Sequence, residues 1–302
     1  MKTLGIITTT YNRAHCIHQV YESLTRQKCK DFMWLVVDDG STDNTKEIID
    51  NFINEGLIEI EYIYHDNIGM VASRNVGYEN IKTELNTIID SDDWLEDNAV
   101  EDIIEFWNKH KNKSVAGIIA LNRRTDGNKK ASSLPNGVKQ CTITDLHEKY
   151  KCKGDKKFIY RSDISRKFPY PRFEGEKIFP ASYKFRLIDL EYEMLLMDKT
   201  ICVVDVNEEG MSFNVFEQYR TNAKGFTFYR NEMMRISDNP KYIARQAIHY
   251  ISASKFSKNK NYILNASRKL YVILCLPIGF LLYYYLKHTK LKSLRHKVEG
   301  IN

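Results

Sequence analysis

Hydrophobic and polar positions repeat along the first 120 residues with two alternating periods. Short apolar runs predict β-strands at residues 4–9, 33–37, 58–64, 85–89 and 115–121. Apolar positions at helical spacing predict helices at residues 14–27, 41–54, 70–81 and 98–110, with Gly56 as the stop of the second helix. This alternation of strand and helix predicts an α/β fold with a mostly parallel sheet and helices on both faces.

The pattern weakens after residue 121. Residues 122–156 are polar and rich in lysine, which predicts a loop region with a short helix near residues 144–150. Further segments predict a strand at 158–160, a helix at 180–190, a last strand at 201–206 and helices from residue 226 onward. We therefore expect a catalytic domain at 1–225, with halves at 1–120 and 121–225, followed by a helical tail at 226–302.

The tail contains the most apolar segment of the chain. Residues 270–286 are apolar or aromatic and include Pro277 and Gly279. This length is the lower limit for a membrane span, and basic residues flank both sides, namely Arg268 and Lys269 before it and Lys287, Lys290 and Lys292 after it. Symmetric positive flanks, tyrosines and a central Pro-x-Gly favour an interfacial or shallow re-entrant segment over a full membrane span. A helix docked on the protein body is the alternative.

Charge is distributed unevenly along the 302 residues. From Lys255 to Asn302 there are ten Lys and Arg and one acid, so the net charge of +6 divides into about +9 for this tail and about −3 for the body. Basic patches attract anionic lipid or nucleic acid. Confinement of the positive charge to an apolar tail favours lipid and argues against nucleic acid. The six cysteines form no Cys-x-x-Cys pair, which indicates reduced thiols.

Two clusters of carboxylates each follow an apolar strand pattern. Asp38 and Asp39 follow the second predicted strand, and Asp90, Asp92 and Asp93 follow the fourth. Ligands of open α/β sheets bind at the carboxyl ends of the strands. Several acids in one crevice repel each other unless a cation shares the site, and Mg²⁺ and Mn²⁺ prefer carboxylate and phosphate oxygens. The clusters therefore predict a site for a metal-bound nucleotide.

The end of the first predicted strand carries small polar residues and an aromatic. The run Thr8-Thr9-Thr10-Tyr11-Asn12-Arg13 can meet a nucleobase by stacking of Tyr11 and by hydroxyl or backbone groups. Neither a Gly-x-Gly-x-x-Gly run nor a Gly-Lys-[Ser/Thr] pair is present, which argues against dinucleotide and P-loop sites.

Four motifs together resemble the family 2 glycosyltransferases. They are Thr-Thr-Thr-Tyr-Asn-Arg from Thr8, Val-Val-Asp-Asp-Gly-Ser-Thr-Asp from Val36, Asn67-Ile68-Gly69 with Ser73-Arg74-Asn75, and Ile89-Asp90-Ser91-Asp92-Asp93. Members of this family are inverting enzymes of the GT-A fold that use nucleotide-sugar donors. The resemblance therefore implies that fold, an inverting sugar transfer and a divalent metal, Mn²⁺ or Mg²⁺.

The resemblance also implies roles for individual residues. Asp39, with Tyr11 and Asp38, is expected to contact the base, and Arg74 the donor phosphates. Asp92 is the first choice for the metal, with Asp90 as a second ligand, and Asp90 or Asp93 is expected to contact ribose or sugar. Thr9, Arg13, Asn67 and Ser91 complete the predicted donor contacts. A salt bridge between Arg74 and the acids is an alternative that does not exclude donor binding.

A downstream element, Phe173-Glu174-Gly175-Glu176-Lys177, resembles the Gly-Glu-Asp element that carries the catalytic base in many members, with lysine in place of aspartate. Capsule and cell-wall polysaccharide transferases have a similar stretch. Glu176 is the predicted base and Glu174 the reserve. The alternative is that Glu176 is an acid at a helix N-terminus, matched to the helix dipole.

The prediction is a metal-dependent inverting transferase that moves a hexosyl or N-acetylhexosaminyl group from a UDP-sugar to a surface-polysaccharide or lipid-linked glycan. We expect it at the cytoplasmic face of a bacterial cell membrane, and a homo-oligomer is compatible with the sequence. Two alternatives stay open: a sugar-phosphate nucleotidyltransferase, which needs a glycine-rich N-terminal loop not found here, and a non-catalytic nucleotide-sugar-binding membrane module.

Overall fold

The structure is a computed structural model that describes residues 2–125, 133–205 and 215–289. Its described residues form two compact units. The first contains residues 2–125, 133–170 and 181–205, and the second contains residues 171–180 and 215–289. The predicted start of the tail, residue 226, falls inside a helix of the second unit. Residues 171–180, which the sequence analysis counted with the catalytic domain, also belong to that unit.

The first unit begins with strands and helices in alternation. In chain order these are β1 (Leu4–Thr10), α1 (His18–Thr25), β2 (Phe32–Asp38), α2 (Thr45–Glu55), β3 (Ile60–Tyr64), α3 (Met70–Asn80), β4 (Leu85–Ile88), β5 (Trp94–Leu95) and α4 (Ala99–His110). The remaining elements are β6 (Val115–Arg124), β7 (Gln140–Cys141), α5 (Ile143–Glu148), β8 (Lys156–Arg161), α6 (Ser162–Lys167), α7 (Ser182–Ile188) and β9 (Glu193–Val204).

The strands of the described residues form one nine-stranded sheet in the order β3-β2-β1-β4-β8-β6-β9-β5, with β7 also paired to β9. The pairs from β3 to β4 are parallel, as is the pair of β6 with β9. Strand β8 runs antiparallel to both β4 and β6, and β5 and β7 run antiparallel to β9. The sheet is therefore mixed, and the predicted parallel arrangement holds for its N-terminal half.

Alternate residues of the strands face opposite sides of the sheet, and each side packs against helices. Leu4, Ile6 and Trp34 share a core with buried residues of α1, α2 and α4. On the other side α3 packs closely: a Cβ added to Gly77 would lie 2.5 Å from Cγ2 of Ile7. The predicted helices on both faces are thus present where the donor motifs occur.

The second unit is helical. Its elements are α8 (Val215–Thr221), α9 (Ala223–Ile236), α10 (Pro240–Phe256), α11 (Lys269–Leu274) and α12 (Leu276–His288). The side chain of Asn239 accepts hydrogen bonds from the N–H groups of Lys241 and Tyr242, and Pro240 occupies the first helical turn of α10, where no N–H is needed. A core of buried residues joins α9, α10 and α11, formed by Met234, Ile243, Ala247, Tyr250, Ile251, Ala266 and Val272.

The apolar segment predicted at 270–286 is divided between two helices. Helix α11 ends at Leu274, and α12 begins at Leu276 with Pro277 in its first turn. Proline has no N–H for a bond to the preceding turn, which explains the break. Among the described helices, none has both the length and the apolar character that crossing a bilayer requires. The flanking Lys290 and Lys292 lie outside the described residues.

Candidate donor site and second acidic element

The carboxyl ends of three neighbouring parallel strands bring the predicted donor residues together in the first unit. Thr10 at the end of β1 pairs with Asp38 at the end of β2, and Ile7 pairs with Ile88 at the end of β4. The residues that follow these strands, including Tyr11, Asp39 and Asp90, therefore share one edge of the sheet. Ligands of open α/β sheets bind at such an edge.

The two acids after β2 have different environments. Asp38 is fully buried, and its carboxylate accepts hydrogen bonds from the N–H of Ser41 at 2.7 Å and from the hydroxyl of Tyr62 at 2.7 Å. Burial and the bond to Asp38 raise the pKa of Tyr62, so its hydroxyl stays protonated and donates. Both oxygens of Asp38 thus hold the loop in place, and its contact with a base stays a prediction.

Asp39 instead connects the strand end to the start of α3. Its Oδ1 accepts the N–H of Ile68 at 2.7 Å, and its Oδ2 accepts the N–H of Gly69 at 3.0 Å. The N–H of Gly69 also lies 3.2 Å from Oδ1, so these three contacts leave capacity for one more donor among the carboxylate's about four lone-pair positions. Nearby, Gly40 has a φ of +84°, and a Cβ there would lie 2.8 Å from the backbone nitrogen of Asn67. Only glycine therefore allows the loops of Asp39 and Asn67 to pack this closely.

The loop after β1 is held by side chains of the loop after β2. Asn12 adopts a left-handed conformation with a φ of 53°, its N–H donates to Ser41 Oγ at 2.9 Å, and its Oδ1 accepts from the N–H of Thr42 at 2.8 Å. The ring of Tyr11 remains 48% exposed. An aromatic face on a fixed loop at this edge suits stacking of a planar base.

The three threonines of β1 have separate environments. Thr8 is buried and accepts a hydrogen bond from the indole of Trp34, so it belongs to the core. Thr9 is half-buried, and its contact with the donor stays a prediction. The hydroxyl of Thr10 is buried without a hydrogen-bond partner. Because a buried hydroxyl without a partner costs free energy, Thr10 marks a position that a bound molecule or water can satisfy.

Arg74 on α3 lies against Asp90. Its Nη2 donates to Asp90 Oδ1 at 2.8 Å, and its side chain is 14% exposed. Burial raises the pKa of Asp90, but the attraction of Arg74 and Lys157 outweighs it, so the pKa lies below its usual range. The Nε of Arg74 is buried and has no hydrogen-bond partner. The salt bridge anticipated from the sequence is present, and it leaves one guanidinium donor for an anionic ligand.

Asp92 is the second acid of the Asp-x-Asp motif, and it is less exposed than Asp90, whose side chain is 49% exposed. The carboxylate of Asp92 lies 3.9 Å from Nη1 of Arg13, and its side chain is 28% exposed. Ser91 between the two acids is buried. No group of three or more His, Cys, Asp and Glu side chains fit to hold a metal occurs within the described residues. A pair of acids still suits Mg²⁺ or Mn²⁺, because these ions bind through one or two carboxylates, waters and substrate phosphates. Asp92 and Asp90 therefore fit the predicted metal.

Asp93 and Lys157 form a buried ion pair behind the exposed acids. Lys157 Nζ lies 3.6 Å from Asp93 Oδ2 and donates to the carbonyl of Ile88 at 3.2 Å. Burial raises the pKa of Asp93 to about 7, with Asp90 and Asp92 adding to the effect and Lys157 opposing it. With 7% of its side chain exposed, Asp93 has less access to a donor than Asp92. Lys157 could not be predicted, because a lysine beside another lysine at the start of a strand has the pattern of an exposed residue.

The predicted base and its reserve belong to the second unit. Glu176 Oε1 accepts the N–H of Lys224 at 2.7 Å, and its Oε2 accepts the N–H of Gly225 at 2.7 Å. Both oxygens therefore cap the first turn of α9. This agrees with the alternative stated for Glu176, an acid at a helix N-terminus, although the helix lies many residues further along the chain. Glu174 is exposed, and its carbonyl accepts from Nζ of Lys224.

A second set of hydrogen bonds reinforces this contact. Oδ1 of Asn222 accepts the N–H groups of Lys177 and Ile178, each at 3.0 Å. The side chain of Glu176 thus accepts from the backbone at the start of α9, and the side chain of Asn222, just before α9, accepts from the backbone that follows Glu176. This arrangement fixes the backbone around both acids, and the assignment of Glu176 or Glu174 as the base stays a prediction.

Comparison with known proteins gives one family. Residues 5–186 match the family model of glycosyl transferase family 2. Glycosyltransferase GlyA of Streptococcus pneumoniae is 37% identical over 98 residues, which are 32% of this chain and 14% of that protein. Poly(ribitol-phosphate) beta-N-acetylglucosaminyltransferase TarP of Staphylococcus aureus is 26% identical over 149 residues, 48% of this chain and 45% of that protein. The chain spans less than half the length of either relative.

Solved structures show the same fold. S. aureus TarS 1-349 in complex with UDP-GlcNAc aligns with a TM-score of 0.61 at 18% identity, covering 98% of this chain and 90% of that one. Mannosyltransferase PcManGT from Pyrobaculum calidifontis, in complex with GDP-Man and Mn²⁺, aligns with a TM-score of 0.55 at 13% identity, covering 94% and 88%. At these identities the likeness concerns the fold, and it confirms the predicted GT-A architecture.

Proposed function

This chain belongs to glycosyl transferase family 2, and from that premise we propose that it transfers a sugar, with inversion, from a UDP-sugar to a surface-polysaccharide or lipid-linked glycan. The observation that carries this proposal is the edge of the sheet where Tyr11, Asp39 and the Asp-x-Asp motif follow neighbouring strand ends, and where Arg74 on α3 pairs with Asp90. It offers a ring for a base, an acceptor for an N–H, a cation for phosphate and a carboxylate for a metal.

The two halves of a donor fit different parts of this edge. Tyr11 is exposed for stacking on the base, and Asp39 has capacity to accept the imide N–H of uracil. Arg74 has a buried donor without a partner, which suits a diphosphate oxygen. The UDP-GlcNAc complex of TarS supports a UDP-sugar, and N-acetylglucosamine is our first candidate for the sugar.

We propose Mn²⁺ or Mg²⁺ as the cofactor, held by Asp92 with Asp90 as the second ligand. A bound divalent ion would offset the negative charge that develops on the departing nucleoside diphosphate. Arg13, which lies 3.9 Å from Asp92, and Arg74 add positive charge of the protein to the same region. The Mn²⁺ complex of PcManGT supports a divalent metal.

The acceptor hydroxyl needs a base that takes its proton as the oxygen attacks the anomeric carbon opposite the leaving diphosphate. We propose Glu176 for this role, with Glu174 as reserve. As a carboxylate that already accepts two N–H groups, Glu176 is well fixed in orientation, which general-base catalysis requires. The acceptor class is supported by TarP, which by name modifies poly(ribitol phosphate).

A donor panel tests the proposal. The full chain is incubated with UDP-GlcNAc, UDP-glucose, UDP-galactose and GDP-mannose, with Mn²⁺ or with EDTA, and release of free nucleoside diphosphate is measured. We expect release from one UDP-sugar, dependent on the metal and increased by a poly(ribitol phosphate) or lipid-linked glycan acceptor. Release of pyrophosphate from UTP and a sugar phosphate would identify a nucleotidyltransferase, and binding without turnover on any acceptor would identify a non-catalytic module.

A further inference from the structure

Helices α11 and α12 carry a row of large apolar side chains that are at least half exposed. They recur at helical spacing and define what we call the outer face: Leu270, Ile273, Leu274, Ile278, Leu281 and Tyr284. Leu274 and Leu281 are each 69% exposed. Single exposed apolar residues are common on protein surfaces, but a continuous row of six marks a surface that contacts an apolar partner.

The opposite side of these helices is packed against α10. Val272, Gly279 and Leu286 are buried, and a Cβ added to Gly279 would lie 2.6 Å from Cβ of Ile251. The rings of Phe256 and Tyr283 lie 4.7 Å apart. Because this side is filled, the outer face cannot turn inward without breaking the core of the second unit.

Both ends of the apolar segment are also held. Arg220 donates to the carbonyl groups of Leu286 and Thr289 at the end of α12. Arg268, just before α11, donates to the carbonyl of Met234 at 3.3 Å. These arginines satisfy backbone carbonyls and keep both ends of the segment against the rest of the second unit. The outer face is therefore exposed along the whole segment.

Positive charge predominates in the part of the chain that forms the outer face, and the acid Asp238, which precedes this part, lies 3.5 Å from Arg268. The stretch Asn239–Thr289 contains eight Lys and Arg and no Asp or Glu. Of these, Lys255, Lys269 and Lys287 are exposed, and the last two flank the apolar row in the sequence. Nζ of Lys255 lies 5.4 Å from the ring centre of Phe280, and Nζ of Lys287 lies 5.8 Å from that of Tyr283. Long cationic side chains next to aromatic rings can extend to a charged surface while their stems stay on apolar ground.

We propose that the outer face is a docking surface for an anionic lipid bilayer, with α11 and α12 lying in the plane of the membrane. The apolar side chains enter the boundary between headgroups and acyl chains, and the lysines contact anionic headgroups. A second copy of this chain suits the face less well, because pairing the same face would bring two cationic rims together with no acid in this stretch to neutralise them. The proposal does not depend on the sugar-transfer reaction.

Sedimentation with vesicles tests the apolar part. The full-length chain is mixed with vesicles of phosphatidylcholine, with and without phosphatidylglycerol, and compared with Leu274→Ser/Leu281→Ser. Burial of a leucine is worth about tenfold or more in partitioning, so we expect the double variant to lose roughly 100-fold of its affinity for mixed vesicles. The matched control is Leu57→Ser/Leu190→Ser, which alters leucines that are 59% and 57% exposed in the first unit. We expect this control to bind like the unmodified chain.

The charge part has its own variant. Lys269→Gln/Lys287→Gln should reduce binding to vesicles that contain phosphatidylglycerol by roughly fivefold for each lysine, since one cation near an anionic surface contributes about a factor of that size. Binding to pure phosphatidylcholine should change little. Added salt should weaken the first interaction and not the second.

Two outcomes would overturn the proposal. One is equal vesicle binding by the outer-face variant and the unmodified chain, with thermal unfolding showing that both are folded. The other is a lipid-free oligomer of the unmodified chain, seen by analytical ultracentrifugation, that becomes a monomer in Leu274→Ser/Leu281→Ser, together with no vesicle binding. That second result would identify the outer face as a contact between copies.

Discussion

Arg74 Nη2 donates to Asp90 Oδ1 at 2.8 Å, while the Nε of the same guanidinium is buried without a hydrogen-bond partner. One edge of the arginine therefore orients an acid of the Asp-x-Asp motif, and another donor remains unused. Leaving a charged donor unsatisfied is costly in the free chain, and a phosphate oxygen would remove that cost. The pair is thus both a structural contact and a partly prepared anion site.

Arg74→Lys separates these two uses. Lysine keeps the positive charge but lacks the planar fork, so we expect donor affinity to fall about tenfold to 100-fold, or about 1.5–3 kcal/mol. Isothermal titration with UDP-GlcNAc and Mn²⁺ measures the change. Arg26→Lys is the control, since Arg26 pairs with exposed Asp97 and neither residue belongs to the predicted donor contacts. Unchanged donor affinity in Arg74→Lys would show that Arg74 forms only its salt bridge with Asp90 and does not bind the donor phosphates.

Asp92→Asn tests the metal. Asparagine preserves the shape of the side chain but removes the charge that a divalent ion needs. Turnover with Mn²⁺ should therefore fall, because several kcal/mol of transition-state stabilisation are lost. Thermal stability should be retained, because the side chain of Asp92 is 28% exposed and makes a long 3.9 Å contact with Arg13. Asp97→Asn is the matched control, with an exposed acid in a surface pair. Full turnover of Asp92→Asn at saturating donor and metal would contradict the assignment.

Glu176→Gln distinguishes a base from a cap. An amide cannot take a proton, so transfer should fall about 10²- to 10⁴-fold if Glu176 is the base. The amide also replaces one acceptor of the two N–H groups, which should lower the free energy of unfolding by about 1 kcal/mol. Transfer is measured at saturating donor and acceptor, and stability by chemical denaturation. A loss of stability with normal transfer would show that Glu176 is a helix cap and not the base. Glu174→Gln would then be the next variant to measure.

Lys184 predicts a pH dependence of stability. It is fully buried, its Nζ donates to the carbonyl of Ser165 at 2.6 Å, and burial lowers its pKa to about 7 from 10.5. Between these pH values the unfolded chain binds more protons than the folded chain, so stability should rise with pH. Relative to Lys184→Met, the free energy of unfolding should increase by about 2 kcal/mol from about pH 7 to about pH 9. Parallel curves for the two proteins would show that the buried lysine keeps its proton over this pH range, as it does in the unfolded chain.

The donor edge could be predicted because its strands are continuous in the sequence pattern. Strands β1, β2 and β4 are short apolar runs that end in polar residues, so the positions of Tyr11, Asp39 and Asp90 followed from the pattern alone. The strand predicted at 201–206 covered only the last four residues of β9, because the exposed residues Asp198 to Thr200 interrupt its apolar pattern. Strand β5 has two residues, too few to show a period.

Strand direction and buried polar partners could not be predicted. The antiparallel position of β8 between β4 and β6 depends on how the chain crosses the sheet, which apolar periodicity does not encode. Lys157 reaches Asp93 only because β8 lies next to β4. The contact of Glu176 with the N-terminus of α9 likewise joins residues 49 positions apart, and neither residue carries a local signal of the other.

That contact has a consequence for the order in which parts of the chain fold during synthesis. Residues 171–180 emerge from the ribosome before α9, yet their backbone is fixed by Asn222 and by the N–H groups of Lys224 and Gly225. Until α9 has been synthesised, these residues have no partner for Glu176 and remain unfixed, whereas the parallel strands of the N-terminal half can already pair. Domains generally fold as units during synthesis. The acidic element should therefore acquire its native conformation late, after the donor edge has formed.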